Sequence, residues 1–149
     1  MGAFGTVGEA RMRPPTNFEK VRHFMQVMGQ DTPAHLTWPD QATINLRIRL
    51  IQEELKELIE DGFEPRNMIE VADAIGDLLY VVYGTAAAMG IDADAIFNEV
   101  HSSNMTKIGP DGTVIRDEHG KVKKPPTFRE PDIAKVLAQR IQPDVNPFE

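Results

Sequence analysis

Two short acidic segments carry the residue types most able to do chemistry. Glu53-Glu54-Leu55-Lys56-Glu57 places carboxylates at i, i+1 and i+4, and Glu70, Asp73 and Asp77 follow an i, i+3, i+7 spacing. At about 100° per residue, Glu54 and Glu57 share one side of a helix and Glu53 overlaps Glu57 on its flank. The later trio projects within roughly a 60° arc. Like charges so placed repel by roughly 0.2–0.5 kcal/mol per pair, and no lysine or arginine lies between Asn67 and Gly90 to relieve the second row. Asp77 also sits in the apolar run Ile75-Gly76-Asp77-Leu78-Leu79, where an unpaired carboxylate is costly. Either row alone reads as a solvated helix face. Two rows on helices joined by a short turn would face one another and call for a cation. All-oxygen donor sets select hard divalent ions, so Glu53, Glu54, Glu57, Glu70, Asp73 and Asp77 are candidate ligands of Mg²⁺, with Mn²⁺ a plausible substitute.

A second group of candidates follows the acids. Asn104 and Lys107 are three residues apart at the end of a helical pattern and would face one ligand from one turn. An amide and an ammonium there suit a phosphate, although a lysine near a helix C-terminus also complements the helix dipole. Lys121, Lys123 and Lys124 make the following segment locally basic. By alternation Lys121 and Lys123 share a face, either toward phosphate or as guards of an exposed strand edge. Phe24, Trp38, Tyr80 and Tyr83 are aromatic candidates for stacking on a base, against the plainer alternative of core or subunit packing. The four histidines lack ligand spacing, and the absence of cysteine removes thiolate metal sites and cysteine nucleophiles.

Helices must position these groups. The first is expected from a Thr16 or Asn17 cap to Gly29, with Val21, Phe24, Met25 and Met28 on one side. The second starts near Pro39-Asp40 and ends at Asp61-Gly62, its apolar stripe formed by Ile44, Ile48, Ile51, Leu55 and Leu58. The third runs from about Asn67 to Met89. The fourth is capped by Asp92 and turns Ile96, Phe97 and Val100 inward. The small-residue run Gly84-Thr85-Ala86-Ala87-Ala88 predicts close helix–helix contact between subunits. Beyond Lys107 the pattern predicts a small β-hairpin over about 113–124 and a C-terminal helix over about 131–141. Residues 1–15 read as a flexible N-terminal arm and 16–149 as a single all-α domain.

With 149 residues, 41% hydrophobic and 26% charged, the chain has the composition of a globular protein able to bury its own core. A net charge of −7 disfavours nucleic acid as a partner. No export signal or membrane span is evident, since Leu78–Met89 is interrupted by polar residues and shorter than the roughly 20 residues a span requires. A cytoplasmic location is expected.

Together, the Glu53–Glu57 row, Glu70-Val71-Ala72-Asp73-Ala74-Ile75-Gly76-Asp77-Leu78-Leu79-Tyr80, Gly90-Ile91-Asp92 and the Glu99–Lys107 segment resemble the all-α nucleoside triphosphate pyrophosphohydrolases. The likeness is to the MazG-like group, which includes phosphoribosyl-ATP pyrophosphohydrolases and dimeric dUTP pyrophosphatases, and it covers about residues 17–131. It implies a four-to-five-helix bundle and a homo-oligomer, most simply a dimer. It also implies Mg²⁺-dependent cleavage of a nucleoside triphosphate to monophosphate and pyrophosphate, possible substrates being dUTP, other non-standard nucleotides or phosphoribosyl-ATP. Glu53 or Glu54 would activate water, and Asn104 and Lys107 with Lys121 or Lys124 would hold the phosphates. In the family's second motif, E-x-x-D, the aspartate stands directly before Leu-Leu-Tyr. Here that aspartate is Asp77 with Ala74 three residues earlier, while Glu70 and Asp73 form an E-x-x-D one turn before. Either Glu70 or Asp73 would supply the remaining ligand. The rival class is a non-catalytic helical interaction protein whose acids bind a cation for structure.

Overall fold

Each long helix begins where a polar side chain can satisfy its first free amides. A computed structural model describes residues 13–139. In it α1 spans Asn17–Val27, α2 Gln41–Glu57, α3 Met68–Ala88, α4 Ala93–Met105 and α5 Ile133–Leu137. Thr16 caps α1 in a reciprocal capping box with Glu19, and Asp40, Asn67 and Asp92 accept from the first-turn amides of α2, α3 and α4.

α2 does not stop abruptly. It widens into a π-type turn over Leu58–Phe63, and Asn67 N–H then donates to Gly62 O at 2.9 Å, folding the chain back into α3. Gly62 is buried there because a Cβ would lie 2.8 Å from Val71 Cγ2. α3 is the central helix, packed on α1 at one side and on α2 at the other. By length and composition α3 would reach across a bilayer, a property missed when only Leu78–Met89 is weighed. Its flanking helices and its acidic face give it the setting of a bundle helix.

The core lies where α1 crosses the C-terminal half of α3. Phe18, Val21 and Met25 pack on Ala87 and Ala88, with Tyr83, Ala86 and Ala93 at the margin. The small-residue run therefore packs within this chain, correcting the expectation of a contact between subunits: Ala87 is fully buried under α1. Phe24 and Met28, expected on the same side, are exposed.

Two further corrections concern helix faces. Along α2 and into the wide turn, Ile44, Ile51 and Leu58 are half-buried as expected, but Ile48 and Leu55 are 49% and 45% exposed. Arg47 and Glu54 take their places toward α3. On α4, Ile96 is half-buried but Phe97 is 67% exposed, and Val100 is exposed too. An apolar side chain at helical spacing marks a face to be covered without saying by what.

The expected β-hairpin is not formed as strands. Among the described residues there is only an isolated antiparallel bridge between Arg116 and Val122, with the turn closed by Asp117 N–H donating to Lys121 O at 2.9 Å. Two short exposed segments with no third strand and no apolar face to bury do not sustain a ladder. The C-terminal helix is shorter than expected and begins after its Asp132 cap. Residues 1–12 of the expected arm and 140–141 of that helix lie outside the described residues.

The α3–α4 turn depends on Gly90. Its φ is +68°, and a Cβ there would stand 2.0 Å from His35 O. Gly90→Ala is expected to lower stability by at least about 1–3 kcal/mol, measured by urea unfolding, whereas Gly112→Ala, in open space at the C-terminal turn, should cost less.

Candidate metal and phosphate site

The antiparallel register of α2 and α3 decides which acids meet. Arg47 abuts Gly84, and seven residues further along each helix in opposite directions come Glu54 and Asp77. Glu54 is half-buried in this seam, and its Oε2 is shielded from solvent with no hydrogen-bond partner. Burial raises the Glu54 carboxyl above its ordinary range, and the negative charges of Asp77, Glu57, Glu53 and Asp73 raise it further. Four acids from two helices thus act on one half-buried carboxylate.

Glu53, Glu57, Asp73 and Asp77 stand exposed around it. Glu70, exposed in the first turn of α3, does not figure among the acids acting on Glu54. Ala74 is buried in the helix face between them. Among the described residues, no three acidic or histidine side chains are gathered tightly enough to hold a metal ion. The donor set and the orphaned Glu54 oxygen nevertheless fit a hard cation: all-oxygen, anionic, and short of a positive partner. An unpaired buried carboxylate is costly, and a cation in the seam would relieve it.

The other candidates are placed differently. Asn104 and Lys107 sit at the C-terminal end of α4, exposed and half-buried respectively, with Lys107 N–H donating to Asn104 O at 3.0 Å. Lys121 is exposed. Lys124 is engaged by Glu130 at 2.9 Å and lies 4.6 Å from the centre of the Phe128 ring. No hydrogen bond or ion pair among the described residues links these four side chains to α2 or α3. Phe24 meets Tyr80 edge-on at 5.6 Å, and Phe18 meets Tyr83 at 6.5 Å, so three of the four aromatic candidates serve α1–α3 packing. Trp38 is exposed.

Sequence reasoning missed the role of the residues between Glu99 and Lys107 that bind the C-terminal segment. Glu99 accepts from the Arg129 guanidinium at 2.6 Å and from Asp132 N–H at 2.8 Å, and these bonds hold its carboxyl below the usual range. Ser103, buried, donates to Arg129 O at 2.8 Å, while Thr106 Oγ1 accepts from Arg129 N–H at 2.9 Å. The signal available was three small hydroxyl residues and an acid at one helix end, with an arginine some twenty residues on.

The phosphoribosyl-ATP pyrophosphohydrolase family model matches residues 21–104, from the middle of α1 to the end of α4, and so takes in both acidic rows. The chain belongs to this family, within the MazG-like all-α superfamily. It is also similar to an uncharacterized protein of Acanthamoeba polyphaga mimivirus, 38% identical over 85 residues. That match covers 53% of the chain and 33% of the viral protein, so the chain spans less than half the length of this relative.

The electrostatics of the seam give a signed prediction for metal-free protein. A carboxyl whose folded value is raised binds its proton more tightly folded than unfolded. Its stabilising effect is therefore full below the ordinary value of 4.5 and is lost as pH rises through the raised value. Glu54→Gln should melt higher than wild type at pH 7, with the difference shrinking as pH falls through the raised value and levelling off below 4.5; a difference that does not change between pH 7 and pH 4 would contradict the strained carboxylate.

Proposed function

We propose that this protein is a Mg²⁺-dependent nucleotide pyrophosphohydrolase that cleaves a nucleoside triphosphate to the monophosphate and pyrophosphate. The observation that carries this reading is the α2–α3 seam, where a half-buried, unpartnered Glu54 feels four further carboxylates, in a chain of the phosphoribosyl-ATP pyrophosphohydrolase family. Glu53, Glu54, Glu57 and Asp77, with Asp73 or Glu70, would hold the metal. The metal, when bound, would supply positive charge against the charge that develops on the triphosphate.

The chain's own residues supply the rest. A carboxylate not consumed in ligation, Glu53 or Glu54, would orient the attacking water and accept its proton. Asn104 would donate its amide hydrogens to phosphate oxygens, and Lys107 and Lys121 would add ammonium groups. Lys124 would have to leave Glu130 to join them. An acidic protein can serve so anionic a ligand because the cations provide the attraction locally.

We further propose that the active form is a homodimer. The exposed apolar side chains Ile48 and Leu55 on α2, Ile59 in the wide turn after it, and Ile75, Leu79 and Val82 on α3 support this reading, since patches of this kind are normally covered. House-cleaning of dUTP or another non-standard nucleotide is one role such an enzyme would have. Hydrolysis of phosphoribosyl-ATP is an equally supported substrate reading, in keeping with the family the chain matches.

Two outcomes test the activity. Across a panel of nucleoside triphosphates and phosphoribosyl-ATP with Mg²⁺, at least one should yield monophosphate and pyrophosphate, and a chelator should stop the reaction. Mg²⁺ raising the melting temperature with no turnover of any substrate would support a structural cation instead. Glu57→Ala and Asp77→Ala should each lower kcat by on the order of 10²-fold or more, with helix content by circular dichroism unchanged; wild-type rates in either would refute the assignment.

A further inference from the structure

Glu54 is not the only charge in the α2–α3 seam without an ion-pair partner. Arg47 lies seven residues before it, two turns and about 10 Å along the same side of α2. Its Nε is shielded from solvent and makes no hydrogen bond, and among the described residues no carboxylate lies within ion-pair distance of its guanidinium. Its contacts are long: Nη2 to Gln30 Oε1 at 3.4 Å and to Met25 Sδ at 3.9 Å. Gly84 leaves room for the guanidinium, since a Cβ there would stand 2.7 Å from Nη1. Burial pushes the guanidinium's pKa down. A half-buried guanidinium whose Nε is unpaired and whose other contacts are this long gains from a closer acceptor.

Arg47 lines a cavity of about 810 Å³ between the end of α1, the connector leading to α2, and the first turns of α2. That volume falls within the ordinary range for small-molecule sites. Met25, Leu46 and Ala88 give it apolar wall, Gln30 and Thr43 polar groups, and Asp31 and Asp40 a negative border. The composition narrows the occupant. Two carboxylates against one guanidinium around the cavity disfavour a net anion, which argues against a second phosphate. A purely apolar guest would leave the guanidinium unsatisfied. What remains is a flat, neutral group carrying a carbonyl acceptor, with N–H groups that the bordering carboxylates could accept.

We infer that this cavity receives the nucleobase of the substrate and that Arg47 is a specificity-determining residue that donates to a base carbonyl. The assignment rests on the nucleotide reading of the acidic seam, and it orients the ligand: phosphates at Glu54 and Asp77, base at Arg47, sugar across the two helical turns between. Bases with a carbonyl group, such as uracil or guanine, are accepted over adenine, which has none.

The test separates base recognition from turnover. With wild-type protein and no Mg²⁺, deoxyuridine monophosphate titrated into methyl-labelled protein should shift the Met25, Thr43 and Ala88 resonances. Deoxyadenosine monophosphate should bind roughly 10- to 100-fold more weakly, the worth of one hydrogen bond to a charged group. Arg47→Gln, checked for folding by circular dichroism, should lose that preference. With Mg²⁺ it should raise KM for dUTP by a similar factor while leaving kcat within about twofold. Should Arg47→Gln fail to fold, Gln30→Ala on the exposed connector, together with the wild-type titration, keeps the inference testable: it should weaken the deoxyuridine nucleotide several-fold. Equal affinity of wild type for the two monophosphates, or shifts confined to residues away from the cavity, would overturn the assignment. Base-selective binding without pyrophosphate release would leave it standing and remove the hydrolase reading; pyrophosphate release without base preference would do the reverse.

Discussion

Burying charge in the seam between two antiparallel helices is the constraint on which the rest of this architecture turns. α2 and α3 meet through Arg47 against Gly84 and through Glu54 near Asp77, so the strip that would ordinarily be the driest in a helical hairpin carries both a guanidinium and a carboxylate. The two lie too far apart along α2 to neutralise one another, since seven residues of helix separate them by about 10 Å. Neither has an ion-pair partner among the described residues. The hairpin is held by what surrounds the seam: Ile44, Ile51 and Leu58 beside it, the wide turn at Leu58–Phe63, and the close approach of Gly62 to Val71.

Placing charge in the seam moves apolar surface elsewhere. Ile48 and Leu55 rotate out of the hairpin, and with Ile75, Leu79 and Val82 they form an exposed apolar surface on the two helices that carry the acids. The compact core sits at the other side of α3, where Phe18, Val21 and Met25 close on Ala87 and Ala88. Small residues on α3 allow α1 to come near, and Gly84 does the same for the Arg47 guanidinium. The C-terminal segment is fastened separately, through Glu99, Ser103 and Thr106 on α4 and Arg129 beyond it.

Much of the helical framework was legible because it is local. Thr16, Asp40, Asn67 and Asp92 each precede a helix and accept from its opening amides, a preference set by geometry within a few residues. Gly29 and Gly90 end helices in the left-handed region for the same reason. The face assignments were less secure. An amphipathic pattern reports that Ile48, Leu55 and Phe97 want cover, and a single chain does not say whether that cover is a neighbouring helix or another molecule. The basic segment after Gly112 alternates like a hairpin, yet it has no third strand to pair with and forms one bridge.

The types and spacing of Glu53, Glu54, Glu57, Asp73 and Asp77 by themselves determined that two acidic faces exist, because helical periodicity alone fixes which side chains share a side. They also determined that any metal held there would be a hard one. Only the tertiary structure decided that Glu54, rather than its neighbours, is the carboxylate driven into the seam, and that Arg47 is buried in the same seam. That choice depends on the register in which α3 lies against α2, which the wide turn and the fit of Gly62 and Gly84 set across the hairpin. Register is a property of the pair of helices, and neither sequence segment contains it alone.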